Sequence, residues 1–289
     1  MWRFQFKVKP RSRLMRAIAV FVGIFLWIVS SQPWATPKPG AVAPTPSAIE
    51  QALSSLPPPR PHPLPPTLAQ RPPNTAGDYA DQVQSTLVGA LVWSSFPVTV
   101  YIQPVTPADQ ANPFLTRRAQ GWIGAVQRAV QEWNALLPLT LVEQPQAADI
   151  TIQRSALPLR LEPRSETGDR RLPIPRARSA ETRYEFYAQK PNQKPNQKPN
   201  NATGALLAHR MQISIRPDQA VEYLQAAARH ELGHALGIWG HSTQQTDALY
   251  FAQVRHPAPI SDRDINTLKR IYQQPTRLGW GLESATPSE

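Results

Sequence analysis

Apolar and polar residues alternate in four short stretches of the chain, and this alternation predicts β-strands with one face in a core. The clearest stretch is 98–102, where two valines and an isoleucine alternate with a threonine and a tyrosine. The other predicted strands span residues 139–142, 149–153 and 211–215. The last of these reads Met-x-Ile-x-Ile.

A second spacing, of three and four residues, predicts amphipathic helices. A long helix is predicted over 117–137, with Trp122 and Trp133 in the core. A final helix is predicted over 261–272, where Ser261 is a suitable N-cap and Asp264 occupies the third helical position. Helices and strands that follow each other in this way indicate an α+β fold.

The N-terminus has the pattern of an export signal. Six basic residues between Arg3 and Arg16 precede an unbroken apolar run over 17–29, which is too short for a comfortable membrane span. Residues 1–35 are therefore predicted to be a signal peptide or an uncleaved N-terminal membrane anchor. We expect an exported protein that is periplasmic, bound to the cell envelope or extracellular.

Proline content divides the rest of the chain. Residues 36–85 are predicted to be a proline-rich disordered linker. Residues 86–280 are predicted to form the folded domain, with a low-complexity insertion at about 155–203 that contains a repeated Gln-Lys-Pro-Asn unit. Residues 281–289 are a C-terminal tail.

Charge and cysteine content limit the function classes. The net charge is +11, but six of the positive charges lie in the export signal. The basic region over 154–183 also contains acids and lacks interleaved aromatic residues, so we expect no nucleic-acid partner. The chain has no cysteine, which excludes disulfides and thiolate metal ligands.

The stretch 230–241 contains the clearest candidate chemistry. His230 and His234 are four residues apart, so on a helix they lie on one face and can bind one zinc ion, with Glu231 beside them. Gly237 can end this helix with a positive φ, and the chain can then offer His241 as a third ligand. Three protein ligands leave a position open for water, as in catalytic zinc sites.

With these residues identified, the region from about 91 to 272 resembles the catalytic domain of metzincin zinc endopeptidases, and most closely the matrixin branch. Residues 230–237 match the start of the family motif H-E-x-x-H-x-x-G-x-x-H, including its leucine and glycine fillers. Residues 148–152 resemble the family's strand segment A-D-I-x-I. The stretch 260–272 resembles its last helix.

The chain departs from the family pattern at two places. Three residues rather than two separate Gly237 from His241, and Gly240 is expected to absorb the extra residue through a conformation that other residues avoid. Tyr250 stands where the family has a methionine beneath the zinc. The tyrosine either forms an apolar floor or brings its hydroxyl toward the metal. His209 is expected to be a satisfied loop or strand residue rather than a ligand.

The resemblance implies a small twisted mixed β-sheet packed with an active-site helix, a first long helix and a C-terminal helix. It implies an exported zinc endopeptidase in which His230, His234 and His241 hold Zn²⁺. Glu231 is then the general base for a zinc-activated water that attacks a peptide bond. The family's thiol-based latency switch is impossible without cysteine.

The resemblance also implies where a protein or peptide substrate lies. The substrate extends along an edge strand near Met211 and Ile213, and Tyr250 belongs to the segment 248–259 that walls the pocket beyond the scissile bond. We expect a monomer, which is anchored in the membrane if the N-terminal apolar segment is retained.

Two other functions are compatible with the sequence. One is a catalytically inactive metzincin-fold binding protein at the cell envelope, supported by the extra residue before His241 and by Tyr250, and opposed by the intact Glu231. The other is a wall-associated adhesive protein that acts through its basic and proline-rich regions.

Overall fold

The computed structural model describes residues 56–157, 179–189 and 205–282. The chain divides into Met1–Leu56 and Pro57–Glu289, and every helix and strand described below belongs to the second unit. The predicted export signal at 1–35, most of the predicted insertion and nearly all of the C-terminal tail lie outside the described residues.

A mixed sheet of five strands forms the centre of the described domain. The strands are β1 (Val98–Ile102), β2 (Leu139–Val142), β3 (Ile150–Arg154), β4 (Ala180–Gln189) and β5 (Leu206–Ile215). Their order in the sheet is β2-β1-β3-β5-β4. The first four strands in this order are parallel, and β4 is antiparallel to β5.

Five α-helices accompany the sheet within the described residues. They are α1 (Pro66–Ala69), α2 (Pro107–Gln110), α3 (Pro113–Asn134), α4 (Val221–Ala235) and α5 (Asp262–Ile271). In the part of the chain that is described, none of these helices has the length and apolar character needed to span a bilayer. The domain is therefore a mixed α/β domain, compatible with the expected α+β class.

The core lies between one face of the sheet and the two longest helices. Helix α3 packs against α4 and against β1 and β2, while α4 packs against β4 and β5. Trp122 and Trp133 on α3 are both fully buried, which confirms their predicted place in the core. The long helix begins earlier than predicted because Asn112, whose side chain accepts from the Phe114 amide, is its N-cap. It also ends earlier, at Asn134, with Ala135 as its C-cap.

Strand β5 is an interior strand, because β3 and β4 flank it on its two sides. Met211 and Ile213 are 1% and 0% exposed and face the core. The prediction that a substrate pairs with this strand and contacts these two residues is therefore wrong. The physical reason is β4, whose backbone already satisfies the hydrogen-bonding edge at which the substrate was expected.

Strand β4 lies where the sequence predicts only a low-complexity insertion. It pairs with β5 over ten residue pairs. Its many charged residues mask the alternation of apolar and polar residues by which a strand is predicted. Glu181 pairs with Arg183 on the outward side of the strand, and Glu185 pairs with Arg210 of β5. The residues facing the helices, among them Tyr184 and Phe186, supply the aromatic content that favours a strand.

The folded unit also begins earlier than predicted. Residues 57–85, assigned to a disordered linker by their prolines, are packed on the domain. Leu68 is 0% exposed and Tyr79 3% exposed, and backbone bridges join Arg60 to Thr276 and Val83 to Gly240. A few large side chains, rather than a periodic pattern, fix this segment. Residues 51–55 and those before them lie outside the described residues.

Candidate metal centre

Helix α4 carries the first two histidines of the motif. Its buried residues include Leu224, Ala228 and Leu232, which form the apolar face that holds it against the core. The helix begins after Ala220 and has no side-chain cap. Asp218, which precedes the helix, forms an ion pair with Arg216.

The helix ends as the sequence predicts. Leu236 is its C-cap, and Gly237 has a φ of 129°, a value that L side chains rarely adopt. The amide of Ile238 donates to the carbonyl of Gly233 at 3.0 Å, which closes the turn in the manner of a helix C-cap. The chain therefore reverses directly after His234.

The extra residue before His241 is accommodated, but not by an unusual backbone conformation of Gly240. Among the described residues, Gly240 is not one of the glycines with positive φ. It is needed because a Cβ at this position would lie 2.4 Å from the carbonyl oxygen of Gln82. The Gln84 amide also donates to Trp239 at 3.0 Å, so the N-terminal segment braces the longer loop.

The three predicted ligands converge. His230, His234 and His241 each offer a ring nitrogen, and these nitrogens all lie within 4.8 Å of one another. The Nε2 atoms of His230 and His234 are 3.1 Å apart. Two imidazoles bound to one tetrahedral zinc place their nitrogens roughly 3.3 Å apart. Within the described residues this is the only such cluster, and His256 is not part of it.

The hydrogen bonds of the first two histidines fix which nitrogen can bind a metal. The Nδ1 atoms of His230 and His234 lie 2.9 Å and 2.7 Å from the carbonyl oxygens of Ala248 and Ile238. Because a carbonyl only accepts, both Nδ1 atoms donate and both Nε2 atoms present a lone pair. These lone pairs face each other and repel unless a cation lies between them. The donor set therefore fits zinc.

Two members of the cluster, His234 and His241, are held in the neutral form. Burial lowers the pKa of His234 well below its ordinary value, and the neighbouring His230 and His241 lower it further. Burial against the site, with a contribution from His230, lowers the pKa of His241 to about 4. Neutral imidazole is the form that ligates metals.

A network of buried carboxylates holds the loop beneath the histidines. Asp264 accepts from the Ala248 amide at 2.8 Å and from the hydroxyl of Tyr79. It also forms a capping box with Ser261 at the start of α5, which confirms the predicted N-cap Ser261 and the predicted third helical position of Asp264. The carbonyl of the same Ala248 orients His230, so the N-terminal segment is connected to the metal cluster through Tyr79 and Asp264.

In the described part of the chain, the hydroxyl of Tyr250 forms no hydrogen bond. Its ring contacts Phe251, with centroids 4.5 Å apart, and lines a cleft beside His230 and Glu231. The fully buried residue of this turn is Leu249, which is 0% exposed. A Cβ on Gly233 would lie 2.6 Å from a Leu249 methyl carbon, so glycine at this helix position lets the turn approach.

The cleft beside the metal cluster is walled by small apolar residues together with polar ones such as Gln219 and Gln253. Its outer wall comes from the segment 248–258, in agreement with the sequence expectation for this segment. Its other residues include Tyr223, Ala226 and Ala227 on α4. Ser179 just before β4, Gln219 before α4 and Asp247 complete the lining. Tyr250 is thus the one predicted substrate-pocket residue that lines the cleft, whereas Met211 and Ile213 lie in the core.

Glu231 lies on α4 at the inner end of this cleft and is 8% exposed. The hydroxyl of Thr182 on β4 lies 2.6 Å from Glu231 Oε2. Sequence reasoning missed Thr182, because β4 was not predicted and a lone threonine carries no signal of its own.

Arg229 was missed as well. It precedes His230 and is 8% exposed, and its guanidinium contacts Glu132 of α3 and the carbonyl of Ala258 in the cleft wall. The i, i+3 spacing that buries one face of α4 also buries this charge, and a buried arginine requires a partner.

His209 lies in a strand, as expected, but it is not a satisfied residue. It is 3% exposed and stacks on Trp93 with ring centroids 3.9 Å apart. Its Nε2 has no hydrogen-bond partner among the described residues. Burial lowers the pKa of His209 to about 3.

No protein-family model matches this chain, and no curated protein matches it.

Proposed function

We propose that this protein is an exported zinc-dependent endopeptidase of the metzincin type. The observation that supports this best is the pair of facing Nε2 lone pairs on His230 and His234, with a nitrogen of His241 close by. Glu231 stands on the same helix at the inner end of a cleft. A carboxylate and a cleft next to the metal ligands are features of catalytic metal sites rather than structural ones.

When bound by the three imidazoles, zinc supplies Lewis-acid chemistry, polarising a peptide carbonyl and making a water more acidic. Glu231 takes a proton from this water while the oxygen of the water forms a bond to the carbonyl carbon. The carbon–nitrogen bond of the peptide then breaks, and the carboxyl group of Glu231 returns the proton to the leaving amine. Atoms and charge balance with water as the only co-reactant.

The substrate is expected to lie along the outer edge of β4, in place of the strand near Met211 that the sequence indicates. Within the described part of the chain, β4 ends the sheet and its outer edge has no partner strand. An extended peptide can add to such an edge by main-chain hydrogen bonds. Just before this strand Ser179 lines the cleft, and on the strand Thr182 contacts Glu231 and Tyr184 contacts Trp239.

The cleft is expected to take the side chain that follows the cut. It begins beside His230 and Glu231 and extends past Ala226, Ala227 and Val254. Because its lining also includes Gln219, Asp247 and Gln253, the cleft offers both apolar and polar contacts to that side chain.

The test combines metal analysis with a peptide-library digest of the purified protein and of Glu231→Gln. We expect about one zinc per chain in both proteins, and cleavage by the wild type alone. A folded, zinc-loaded wild type that cuts no peptide would favour the inactive binding protein. An equally active Glu231→Gln would remove Glu231 from the role of base.

Export is proposed from the sequence of residues 1–35 alone. N-terminal sequencing of the exported protein distinguishes a cleaved signal from a membrane anchor. A mature chain that begins at Gln32 or Thr36, after Ser31 or Ala35, is the result expected for cleavage. An intact Met1 in the membrane fraction is expected for an anchor.

A further inference from the structure

We infer that Thr182 is a positioning residue for Glu231, and that its hydroxyl fixes the carboxylate in the orientation needed to take a proton. This inference rests on the proposed function. Thr182 lies on the edge strand β4 and Glu231 lies on the metal helix α4. Their contact therefore joins the strand expected to hold the substrate to the residue expected to act as base.

The contact is short and directional. Thr182 Oγ1 lies 2.6 Å from Glu231 Oε2 and 3.1 Å from the main-chain oxygen of Glu231. A hydroxyl has one proton to donate. The carboxylate oxygen is the closer of the two oxygens and the stronger acceptor, so it receives this proton. Donation to Oε2 fixes the plane of the carboxylate, and with it the direction in which Oε1 points.

The hydroxyl itself is held in a fixed place. Threonine is β-branched, so its χ1 angle is restricted in a strand. Thr182 is paired with Ile213 in the register of β4 and β5, and Ile213 is fully buried. A donor on a rigid strand orients the carboxylate better than a water or a mobile side chain does.

Proton transfer depends on this orientation. A general base acts within hydrogen-bond reach of the proton it takes, and misplacement by about 1 Å can lower the rate about a hundredfold. Without the Thr182 hydroxyl, Glu231 loses this short hydrogen bond, and with it one restraint on the direction of its carboxylate.

Three variants separate positioning from a general structural role. Thr182→Val removes the hydroxyl and keeps the branched shape, while Thr182→Ser keeps the hydroxyl. Thr151→Val is the matched control, since Thr151 lies on β3 and its hydroxyl donates only to the Met211 carbonyl, at 3.2 Å.

With zinc bound, we expect Thr182→Val to lower kcat about tenfold with KM changed less than about twofold. Thr182→Ser should restore most of kcat, and Thr151→Val should leave both constants unchanged. Equal kcat values for Thr182→Val and the wild type would overturn the inference. An equally large loss of kcat in Thr182→Ser would also overturn the inference.

A metal-free measurement tests the contact without relying on catalysis. The measurement is a double-mutant cycle that combines Thr182→Val with Glu231→Ala. When Glu231 is present, removal of the Thr182 hydroxyl should lower the equilibrium ratio of folded to unfolded protein about fivefold to tenfold. It should change this ratio less than about twofold in the Glu231→Ala background. Equal effects in both backgrounds would overturn the contact, and with it the inference.

These two measurements also separate this inference from the proposed function. A wild type that cleaves nothing contradicts the endopeptidase, and with it the positioning role, whatever the cycle gives. An active wild type with no Thr182 effect contradicts the inference alone. If Thr182→Val does not fold, Thr182→Ala serves as the second hydroxyl-free variant, with the same expected outcomes.

Discussion

Arg229 and Glu132 join the metal helix to the long helix through two parallel hydrogen bonds. Nε of Arg229 lies 2.6 Å from Oε2 of Glu132, and Nη2 lies 2.8 Å from Oε1. The remaining guanidinium nitrogen donates to the carbonyl of Ala258 at 2.8 Å. One buried cation thus fixes α4 against α3 and also holds the outer wall of the cleft beside His230.

Replacement of Glu132 by glutamine should destabilise the fold, because it leaves the buried guanidinium with a neutral partner. We expect a loss of about 2–3 kcal/mol in the free energy of unfolding, measured by urea denaturation. The control is Glu185→Gln, which breaks the exposed pair with Arg210 and should cost no more than about 1 kcal/mol. Equal losses in the two variants would mean that the Arg229 pair is no more than a surface contact.

Gly240 should tolerate no side chain. A Cβ there would lie 2.4 Å and 2.8 Å from backbone atoms of Gln82 and Val83, so Gly240→Ala must displace the brace or the loop that carries His241. We expect a loss of about 1–3 kcal/mol in stability and weaker zinc binding, measured by denaturation and by competition with a chelating dye. Gly281→Ala, which meets nothing within 4 Å, is the control. Unchanged zinc affinity in Gly240→Ala would mean that the contact of Gly240 with Gln82 and Val83 does not affect the metal site.

Local patterns were sufficient to predict the elements that bury one regular face. The long helix, the capping box of Ser261 and Asp264, and the helix end at Gly237 all follow from nearest-neighbour chemistry. The approach of His241 to the other two histidines was expected from the motif, and the structure brings their nitrogens together.

The missed features depend on contacts distant in sequence. Strand β4 is defined by its pairing with β5 across a stretch that the structure does not describe. Thr182 gains its importance only from this pairing. The N-terminal segment is fixed by Tyr79, whose hydroxyl reaches Asp264 185 positions away, and no local periodicity encodes such a contact.

His241 should be required for tight zinc binding and His256 should not. His241→Ala removes one of the three convergent nitrogens, and we expect zinc affinity to fall at least about a hundredfold. His256 is exposed and outside the cluster, so His256→Ala should bind zinc as the wild type does. Zinc titration against a competing chelator measures both. A full zinc content in His241→Ala together with loss in His256→Ala would reverse the assignment of the third ligand.

Acid should destabilise the metal-free protein partly through His209. Burial lowers the pKa of His209 to about 3 in the folded state, whereas an unfolded histidine has a pKa of about 6.5. Below about pH 6.5 the unfolded chain therefore takes up a proton that the folded chain does not, and the stability supplied by the neutral ring is lost as the pH falls toward about 3. At about pH 4 the loss is of the order of 3 kcal/mol.

His209→Phe isolates this contribution, because phenylalanine keeps an aromatic ring against Trp93 and has no proton to gain. His234 and His241 also have lowered pKa values, but they titrate in both proteins and cancel in the difference. Urea denaturation of both metal-free proteins between about pH 7 and pH 4 should give a shallower fall for His209→Phe, with the curves diverging by about 3 kcal/mol at the acid end. Parallel curves would mean that water reaches His209 in the folded protein and that its ring is protonated there as readily as in the unfolded chain.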